Sequence, residues 1–403
     1  MRALSLGRLE GDADAVTGVD VDSRRIRPGD LFVAVSGGEA FLDDARARGA
    51  VATLVPVDAH AALAALGSAV RARSDARVVA ITGSVGKTST KDILAALLRT
   101  RFRTVAAPDG FNNEVGLPLT LCRIQPETEV VVTEMAMRGF GQIRDLARVA
   151  RPDLGVITSI APVHLEQMGS LEGIARAKAE LLEELPAGAV AVLPEDTPAL
   201  EPLVPEGLDV RRFREPDAEV HDGRTHVRWH GREVVFGFAA RHQATNAAAA
   251  LTAAEALGVE PPQEPVEVEF SLWRSQETEL PGGGVLINDS WNANPVAMGA
   301  ALAHLLQRAD GRRTVAILGE MAELGPEAPR YHDEVGREAE GVDVVLGVGN
   351  LARHYRPDEW APTAAEAREL ALGLVRPGDA ILVKGSRSVG LEAVADALLE
   401  PRP

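Results

Sequence analysis

The sequence predicts an α/β protein with two or three domains, and two observations support this prediction. Residues 77–99 have the pattern of a buried strand, a glycine turn and a helix, the order found where an α/β sheet holds phosphate. Strands and helices then alternate to about residue 257, and the alternation begins again after residue 266. Such alternation is typical of mostly parallel sheets covered by helices. A chain of 403 residues is long enough for two or three domains.

Composition narrows the class of protein. Hydrophobic residues make up 46% of the chain and charged residues 25%, as in ordinary globular proteins. The formal net charge of −17 argues against nucleic acid or an anionic membrane as a partner. The single cysteine, Cys122, excludes an intramolecular disulfide and suits a reducing compartment. Neither a signal peptide nor an apolar run of roughly 20 residues is visible, so we expect a soluble cytoplasmic protein without membrane insertion.

The predicted N-terminal domain covers residues 1–76, although on composition alone this unit could be a mere cap. It contains strands at 31–35 and 52–56, a short helix at 40–48 and an alanine-rich helix at 60–73. The polar residues Ser23 and Arg24 precede a turn, where they could bind a ligand or simply be solvated.

The predicted central domain covers residues 77–262. Its candidate strands lie at 78–81, 129–133, 154–160 and 189–193, and its last helix at 246–257. Residues 210–238 alternate in polarity and predict a β-hairpin insertion. The proline-rich segment 261–265 is a plausible linker.

The predicted C-terminal domain covers residues 263–403 and is a smaller, Rossmann-like α/β unit. Its candidate strands lie at 285–288, 315–318, 344–348 and 380–383.

A glycine turn followed by Lys-Thr at the start of a helix forms the predicted phosphate site. The glycines let backbone N–H groups approach an anion, the Lys87 ammonium suits the β- and γ-phosphates, and the Thr88 hydroxyl suits magnesium. Ile81 stands where the general phosphate-loop motif has its first glycine, so the loop is shorter than usual. A chance glycine turn is the alternative. The residues assigned to the loop and the first helical turn are Gly83, Ser84, Val85, Gly86, Lys87, Thr88 and Ser89.

Glu134 and His164 both follow predicted strands. A carboxylate at the end of a strand beside a phosphate loop is expected to hold magnesium, although an ordinary strand-end acid is the alternative. A single histidine in this position is more often structural than a ligand.

Lys178 lies on the apolar face of a helix predicted over 171–185. Its neighbours at three and four residues are Ile174, Ala175, Leu181 and Leu182. A buried lysine loses proton affinity and becomes a nucleophilic amine. The alternative is that its amine reaches the surface past the leucines. Lys91, on the phosphate-loop helix, is the expected control lysine outside this chemistry.

Three polar motifs follow strands of the C-terminal domain and predict one side of an interdomain cleft. Lys384 and Arg387, in the third motif, could meet a carboxylate or a phosphate. The motifs are NDSWNANP (288–295), LGEMAELG (318–325) and KGSRSVG (384–390).

Taken together, these motifs resemble the Mur ligases of peptidoglycan synthesis, in the family's order and over nearly the whole chain. The resemblance also rests on DSRRIRPGDLFVA, FNNEVGLPLTL, EMAMRGFGQI and HLEQMGSLEGIARAKAELL. It implies a three-domain fold with a central ATPase domain, and the C-terminal motifs are similar to those of the branch that adds D-Ala-D-Ala. The implied activity is ATP-driven amide formation on UDP-MurNAc-tripeptide through an acyl phosphate, by a monomer with two Mg²⁺ ions.

The resemblance also implies roles for individual residues. Catalysis falls to Lys87, Lys178, His164 and Glu134, with Lys178 carboxylated on its amine. The implied magnesium ligands are Thr88, Glu134, His164 and Lys178. The implied contacts to ATP beyond the loop are Asn246, Arg274, Asp289 and Asn292. The implied contacts to the other substrates are Ser23, Arg24, Asn113, Glu114 and Arg138.

The chain departs from the family pattern at four places without losing a metal or phosphate ligand. The loop at 36–44 is short, and Ala240 with Gln243, Trp291 and Asn288 replace residues usual in the family. Two alternative functions follow: another ligase of the same superfamily, or a nucleotide-binding regulator without catalysis. The C-terminal motifs argue against the first, and the complete catalytic set argues against the second.

Overall fold

The computed structural model describes residues 6–11, 13–163, 165–274 and 276–400. Within these residues the chain forms four β-sheets and twelve α-helices. None of the helices in the described residues has the length and apolar character needed to cross a membrane.

The first sheet has the strand order β1-β4-β3-β2. Its first strand runs antiparallel to β4 and the other pairs are parallel. Leu63 and Leu66 of the second helix pack against it, and Asp58 caps that helix by accepting from the Ala61 N–H. The elements are β1 (Gly7–Glu10), β2 (Val19–Asp20), β3 (Leu31–Val33), α1 (Leu42–Ala47), β4 (Ala52–Pro56) and α2 (Ala59–Arg71).

The second sheet is wholly parallel, with the strand order β10-β9-β8-β5-β7-β6. Its central strands are runs of buried Val, Ile and Ala, as expected for a sheet covered on both faces. The strands are β5 (Arg77–Thr82), β6 (Thr104–Ala106), β7 (Val130–Glu134), β8 (Leu154–Ile157), β9 (Val190–Pro194) and β10 (Asp209–Phe213). The helices are α3 (Lys87–Arg99), α4 (Gly116–Leu121), α5 (Gln142–Ala150), α6 (Leu165–Met168), α7 (Leu171–Glu183) and α8 (Ala244–Ala256).

Helix α8 is buried on nearly all sides because most of its side chains are alanine. Ala247 to Ala250 are fully enclosed, and the helix packs against α3 and against Phe236 and Phe238. Small side chains let the backbones of two helices approach closely. This contact sets the position of α3, which carries the phosphate-binding residues.

The segment predicted as a hairpin over 210–238 has a different structure. Its first residues belong to β10, which extends the parallel sheet beside β9. The rest is a three-stranded antiparallel sheet, one strand more than a hairpin. Alternating polarity identifies strands but does not say which sheet they join. The three strands are β11 (Ala218–His221), β12 (Arg224–Trp229) and β13 (Arg232–Phe236).

The last sheet has the strand order β14-β15-β19-β16-β17-β18, with only β14 antiparallel among the described strands. The strands are β14 (Gln276–Glu279), β15 (Val285–Asp289), β16 (Thr314–Gly319), β17 (Val344–Val348), β18 (Glu359–Ala361) and β19 (Ala380–Lys384). The helices are α9 (Pro295–Ala309), α10 (Ala328–Glu338), α11 (Ala364–Leu374) and α12 (Glu392–Leu399).

The α/β class with parallel sheets is therefore confirmed, while the boundaries at 76/77 and 262/263 stay predictions. The carboxyl end of β5 lies beside that of β7, with Ile81 paired to Glu134. In the sheet, β5 lies between β8 and β7, so the strand order changes direction at β5. In open α/β sheets such a switch point is where ligands bind.

Candidate active site

The phosphate loop between β5 and α3 is held in a conformation that only glycine fits. Gly83 has φ 148° and Gly86 has φ 84°. A Cβ on Gly83 would lie 1.9 Å from Thr158 Oγ1, and one on Gly86 would lie 2.0 Å from Asn246 Oδ1. Both distances are far below van der Waals contact, so neither position tolerates a side chain.

Residues at the end of β8 fix the outside of this loop. The Val85 N–H donates to Ser159 Oγ at 2.9 Å, and the Thr158 hydroxyl donates to the Val85 carbonyl at 2.5 Å. Ser84 Oγ donates to the Ala161 carbonyl and accepts from the Ala161 N–H. These hydrogen bonds hold the loop against the end of β8.

The ammonium of Lys87 curls back over the loop. Its Nζ donates to the carbonyl oxygens of Gly83 at 2.8 Å and Ser84 at 3.3 Å. Burial lowers the pKa of Lys87, the Glu134 carboxylate opposes this shift, and the Arg274 guanidinium adds to it. An anion at the N-terminus of α3 would meet this ammonium and the free N–H groups of the first helical turn.

Glu134 is buried at the end of β7 with both carboxylate oxygens engaged. Its Oε2 accepts from the Thr88 hydroxyl at 2.9 Å, and its Oε1 accepts from Asn112 Nδ2 at 2.8 Å. Glu134 is 4% exposed and Thr88 5%. The two oxygen side chains predicted to hold magnesium are therefore adjacent, and Asn112, which the sequence analysis did not select, orients the carboxylate.

Lys178 is buried on α7, as its helical neighbours predict, and the alternative of an amine at the surface is wrong. The residue is 2% exposed. Burial lowers the pKa of Lys178 well below its ordinary value, and the Lys87 ammonium lowers it further. Lys178 has no ion pair with any residue that the structure describes. Such burial favours the neutral, nucleophilic form of the amine.

His164 lies outside the described residues, so its predicted role stays a prediction.

Ser89 is 8% exposed in the first turn of α3. Asn246 lies at the base of the loop, where its Nδ2 donates to Gln243 Oε1 at 2.6 Å and its Oδ1 faces the Thr90 hydroxyl at 3.4 Å.

Lys91 is not a lysine outside the site, and its use as a control was wrong. It lies one turn beyond Lys87 on the same face of α3 and is 2% exposed. Its Nζ lies 2.8 Å from Asp92 Oδ1 and donates to the Ala107 carbonyl at 2.8 Å and to Ser271 Oγ at 3.2 Å. The sequence could not reveal this pair, because adjacent residues on a helix do not normally face each other.

Arg274, in the segment that enters the C-terminal unit, lies next to residues of both units. Its guanidinium carbon is 5.4 Å from the centroid of the Trp291 ring. Its charge acts on Lys87 and on Asp109, whose pKa burial raises and Arg274 lowers. Gly110 approaches the same Trp291 ring, since a Cβ there would be 3.6 Å from it.

Lys384 holds the polar motif at 288–295 through hydrogen bonds. Its role therefore differs from the predicted contact with a carboxylate or a phosphate. Its Nζ donates to Asp289 Oδ2 at 2.6 Å and to the Asn292 carbonyl at 2.9 Å, and it is 2% exposed. Lys384 is therefore engaged within the protein and is not available to a substrate carboxylate or phosphate. It orients the two residues that the resemblance assigns to the nucleotide.

The predicted contacts to the other substrates are more scattered. Arg24 is 80% exposed at its side chain and forms a bidentate ion pair with Asp22, which holds the pKa of that carboxyl at about 2. Ser23 is buried and donates to Asp44. Asn113 Oδ1 accepts from the Val115 and Gly116 N–H groups at the start of α4.

Two further residues assigned to substrate are exposed and lie near this helix and α5. They are Glu114 and Arg138. The structure thus gathers the phosphate and magnesium residues closely but leaves Arg24 and Arg138 at the surface.

The chain has four lysines, which are Lys87, Lys91, Lys178 and Lys384. Three of them are 2% exposed, and Lys87 is partly buried in the phosphate loop. Every lysine therefore lies in or beside the candidate site.

Comparisons with known proteins agree with this geometry. The Mur ligase middle domain matches residues 81–254, and the Mur ligase glutamate ligase domain matches residues 273–387. A UDP-N-acetylmuramoyl-tripeptide–D-alanyl-D-alanine ligase of Mycobacterium tuberculosis is 36% identical, over 95% of this chain and 92% of that protein. The chain belongs to the Mur ligase family.

Two further relatives support the assignment of this chain to the Mur ligase family. The Escherichia coli protein of the same name is 33% identical, over 98% of this chain and 96% of that protein. The solved structure of MurF ligase from Thermotoga maritima in complex with ADP is 27% identical, with a TM-score of 0.82 over 96% of this chain and 98% of that chain.

The residues present fit magnesium in part. Thr88 and Glu134 offer oxygen atoms, which magnesium prefers, and both are buried where a phosphate would lie. Lys178 offers a nitrogen and fits only after conversion to an oxygen ligand. Among the described residues no group of three His, Cys, Asp or Glu side chains could hold a metal by itself.

Proposed function

We propose that this Mur ligase joins D-alanyl-D-alanine to UDP-N-acetylmuramoyl-tripeptide with hydrolysis of ATP to ADP and phosphate. The observation that carries the proposal is the phosphate loop with Thr88 bonded to Glu134 and with buried Lys178 beside Lys87. The relatives named for this reaction span nearly the whole chain. The motif at 288–295 and the Lys384 that holds it favour this branch over other ligases of the superfamily.

The reaction has two chemical steps. A carboxylate oxygen of the tripeptide attacks the γ-phosphorus of ATP, the bond from phosphorus to the bridging oxygen breaks, and ADP leaves. The amine of D-Ala-D-Ala then attacks the acyl carbon, the new C–N bond forms and the C–O bond to phosphate breaks. The amine, initially an ammonium, gives up two protons, one to the departing phosphate and one to solvent.

The chain's own residues stabilise charge in the first step. Lys87 and the N-terminus of α3 face the transferring phosphate, where negative charge spreads over its oxygens. Arg274 adds a second positive charge from the C-terminal side. Because these groups are fixed in advance, they need little reorganisation when the substrate arrives.

Magnesium, when bound, would neutralise phosphate charge and orient the two reacting groups. Thr88 and Glu134 would hold it, and Asn112 keeps Glu134 turned toward Thr88. His164 and carboxylated Lys178 complete the proposed set for two ions.

Carboxylation of Lys178 is itself a balanced step. The neutral amine attacks the carbon of carbon dioxide, a C–N bond forms, and a proton passes to solvent. The product carries an anionic oxygen beside the Lys87 ammonium, which favours it over a second ammonium.

The substrate and domain assignments extend the proposal. We take residues 1–76 as the UDP-substrate domain, 77–262 as the ATP domain and 263–403 as the ligase domain. Ser23, Arg24, Asn113, Glu114 and Arg138 would contact the UDP-MurNAc-tripeptide.

ATP contacts from the ligase domain would come from Asp289 and Asn292, with Asn246 on the central side. Closure at 261–265 would bring them onto the nucleotide. Both sides of the site come from one chain, so a monomer suffices. The reaction takes place in the cytoplasm, since both nucleotide substrates are found there.

Mass spectrometry of the products tests the function. The enzyme is incubated with ATP, magnesium and UDP-MurNAc-tripeptides ending in diaminopimelate, lysine or ornithine, with D-Ala-D-Ala or single amino acids as acceptor. A UDP-MurNAc-pentapeptide formed only with the D,D-dipeptide supports the proposal. Preference for a single L-amino acid, or ADP release without any peptide product, contradicts it.

A further inference from the structure

A buried ion pair in the second turn of α3 joins three separate segments of the chain. Lys91 and Asp92 follow Lys87 and Thr88 at a spacing of four residues, so both pairs lie on one face of the helix. Asp92 accepts from the Ser271 N–H at 2.9 Å and from its hydroxyl at 3.3 Å. Lys91 donates to Ser271 Oγ and to the Ala107 carbonyl.

Each of these anchors lies a few residues before a charged group of the phosphate site. Ala107 precedes Asp109 and the Asn112 that orients Glu134. Ser271 precedes Arg274, whose buried Nε donates to no group in the described part of the chain. Asp109 Oδ1 is likewise buried without a hydrogen bond there, and the Arg274 guanidinium is close enough to lower the pKa of the Asp109 carboxyl, which burial raises.

The chemistry of the ammonium suits this junction. Lys91 has three donors and three oxygen partners in different directions, which are Ala107 O, Ser271 Oγ and Asp92 Oδ1. The planar guanidinium of arginine directs its donors in one plane and could not meet the same three. The chain has only four lysines, and one of them stands at this junction.

We propose that Lys91 and Asp92 are a positioning pair that holds Arg274 and Asp109 at the phosphate end of the active site. The inference rests on the proposed ATP-dependent function, and neither residue of the pair touches substrate. Buried ion pairs are weak devices for stability alone, because desolvation offsets their attraction. This pair instead fixes the distance between α3 and the segment that enters the C-terminal domain.

The test is a double-mutant cycle in which kcat and the KM for ATP are measured for each variant. Asp92→Asn should lower kcat at least tenfold and change the KM for ATP by less than threefold, because the phosphate loop itself is intact. Arg274→Ala should lower kcat by a similar factor, and the double variant should be within twofold of Arg274→Ala alone. The Lys91→Arg variant should also have a lowered kcat, because arginine cannot replace lysine at this position.

A control and a second variant keep the test decisive. Asp379, which is 2% exposed, pairs with Arg313 at 2.8 Å in the C-terminal domain, so Asp379→Asn should lower Tm and leave kcat unchanged. If Asp92→Asn does not fold, Ser271→Pro removes the N–H and the hydroxyl but leaves the ion pair. It should reproduce the loss of kcat. A kcat within twofold of wild type, or losses that multiply in the double variant, would overturn the proposal.

Hydrogen exchange separates this inference from the proposed reaction. Amides of residues 266–274 should exchange faster in Asp92→Asn and Ser271→Pro than in wild type or Asp379→Asn, without any substrate present. Unchanged exchange counts against the positioning pair. Failure of the wild-type enzyme to form product counts only against the proposed function.

Discussion

The Asn112 side chain donates to Glu134 Oε1 at 2.8 Å, while its neighbour Asn113 turns the other way and accepts from backbone N–H groups of α4. Two adjacent asparagines therefore serve different structures, one the candidate metal site and the other a helix end. This difference can be tested directly.

Asn112→Ala should lower turnover about tenfold and raise the magnesium concentration needed for half-maximal rate, because outer contacts of this kind orient a ligand. Asn113→Ala should lower the free energy of unfolding by about 1 kcal/mol through loss of the cap, with the magnesium dependence unchanged. Magnesium titrations of the rate and urea unfolding measure the two effects. Equal magnesium requirements in both variants would remove Asn112 from the site.

Lys178→Ala should lower turnover about 100-fold while the protein still folds, because a group placed on a metal is lost. Arg176→Ala is the matched control, since Arg176 is exposed on the same helix and should leave the rate unchanged. Formate or acetate in excess should restore part of the rate by supplying a carboxylate oxygen. A fully active Lys178→Ala enzyme would show that the buried amine has no part in the reaction.

Removal of carbon dioxide should inactivate the wild-type enzyme reversibly. Because burial and Lys87 lower the pKa of Lys178, its amine stays neutral at pH values where an exposed lysine is charged. As pH falls through the lowered pKa, protonation removes the nucleophile and the recovered activity should fall. Dialysis under nitrogen followed by ¹³C-bicarbonate, read by NMR and by rate, measures this. Activity that survives complete removal of carbon dioxide would argue for an unmodified amine.

Acid should weaken the contact between the central and C-terminal units at His242. Burial, helped by nearby His304 and Lys384, lowers the pKa of His242 from 6.5 to about 4, while Asp289 and Glu277 oppose this shift. The unfolded chain binds a proton near pH 6.5 and the folded protein only near pH 4, so stability falls as pH decreases through this window.

At about 1.4 kcal/mol per pH unit, the His242 effect is at most about 3.5 kcal/mol. His242→Gln should flatten the dependence of unfolding free energy on pH between 6.5 and 4, and His60→Gln, at an exposed position, should not. Urea unfolding at several pH values provides the comparison. A His242→Gln slope equal to that of wild type would contradict the buried neutral imidazole.

The sequence predicted the parts of the site that depend on local pattern. The glycines of the loop need positive φ, which the motif signals directly, and the burial of Lys178 follows from its neighbours one helical turn away. Glu134 was recognised as a strand end, and pairing of β7 with β5 then brings it to Thr88.

The contacts that were not predicted join residues far apart in sequence. Ser271 meets Asp92 across 179 positions, and Lys384 meets Asp289 across 95. No local period marks such pairs, since they depend on how two units pack. The wrong choice of Lys91 as a control arose in the same way, because its partners include a residue from the segment between the units.

The small number of lysines makes this protein a convenient system for selective labelling. Reductive methylation with ¹³C-formaldehyde can modify at most four lysine side chains. Each would give a separate methyl resonance, one from the phosphate loop, one from the junction with Ser271, one from α7 and one beside Asp289. A nucleotide and a metal ion could thus be followed at four points of the site in one spectrum, without any mutation.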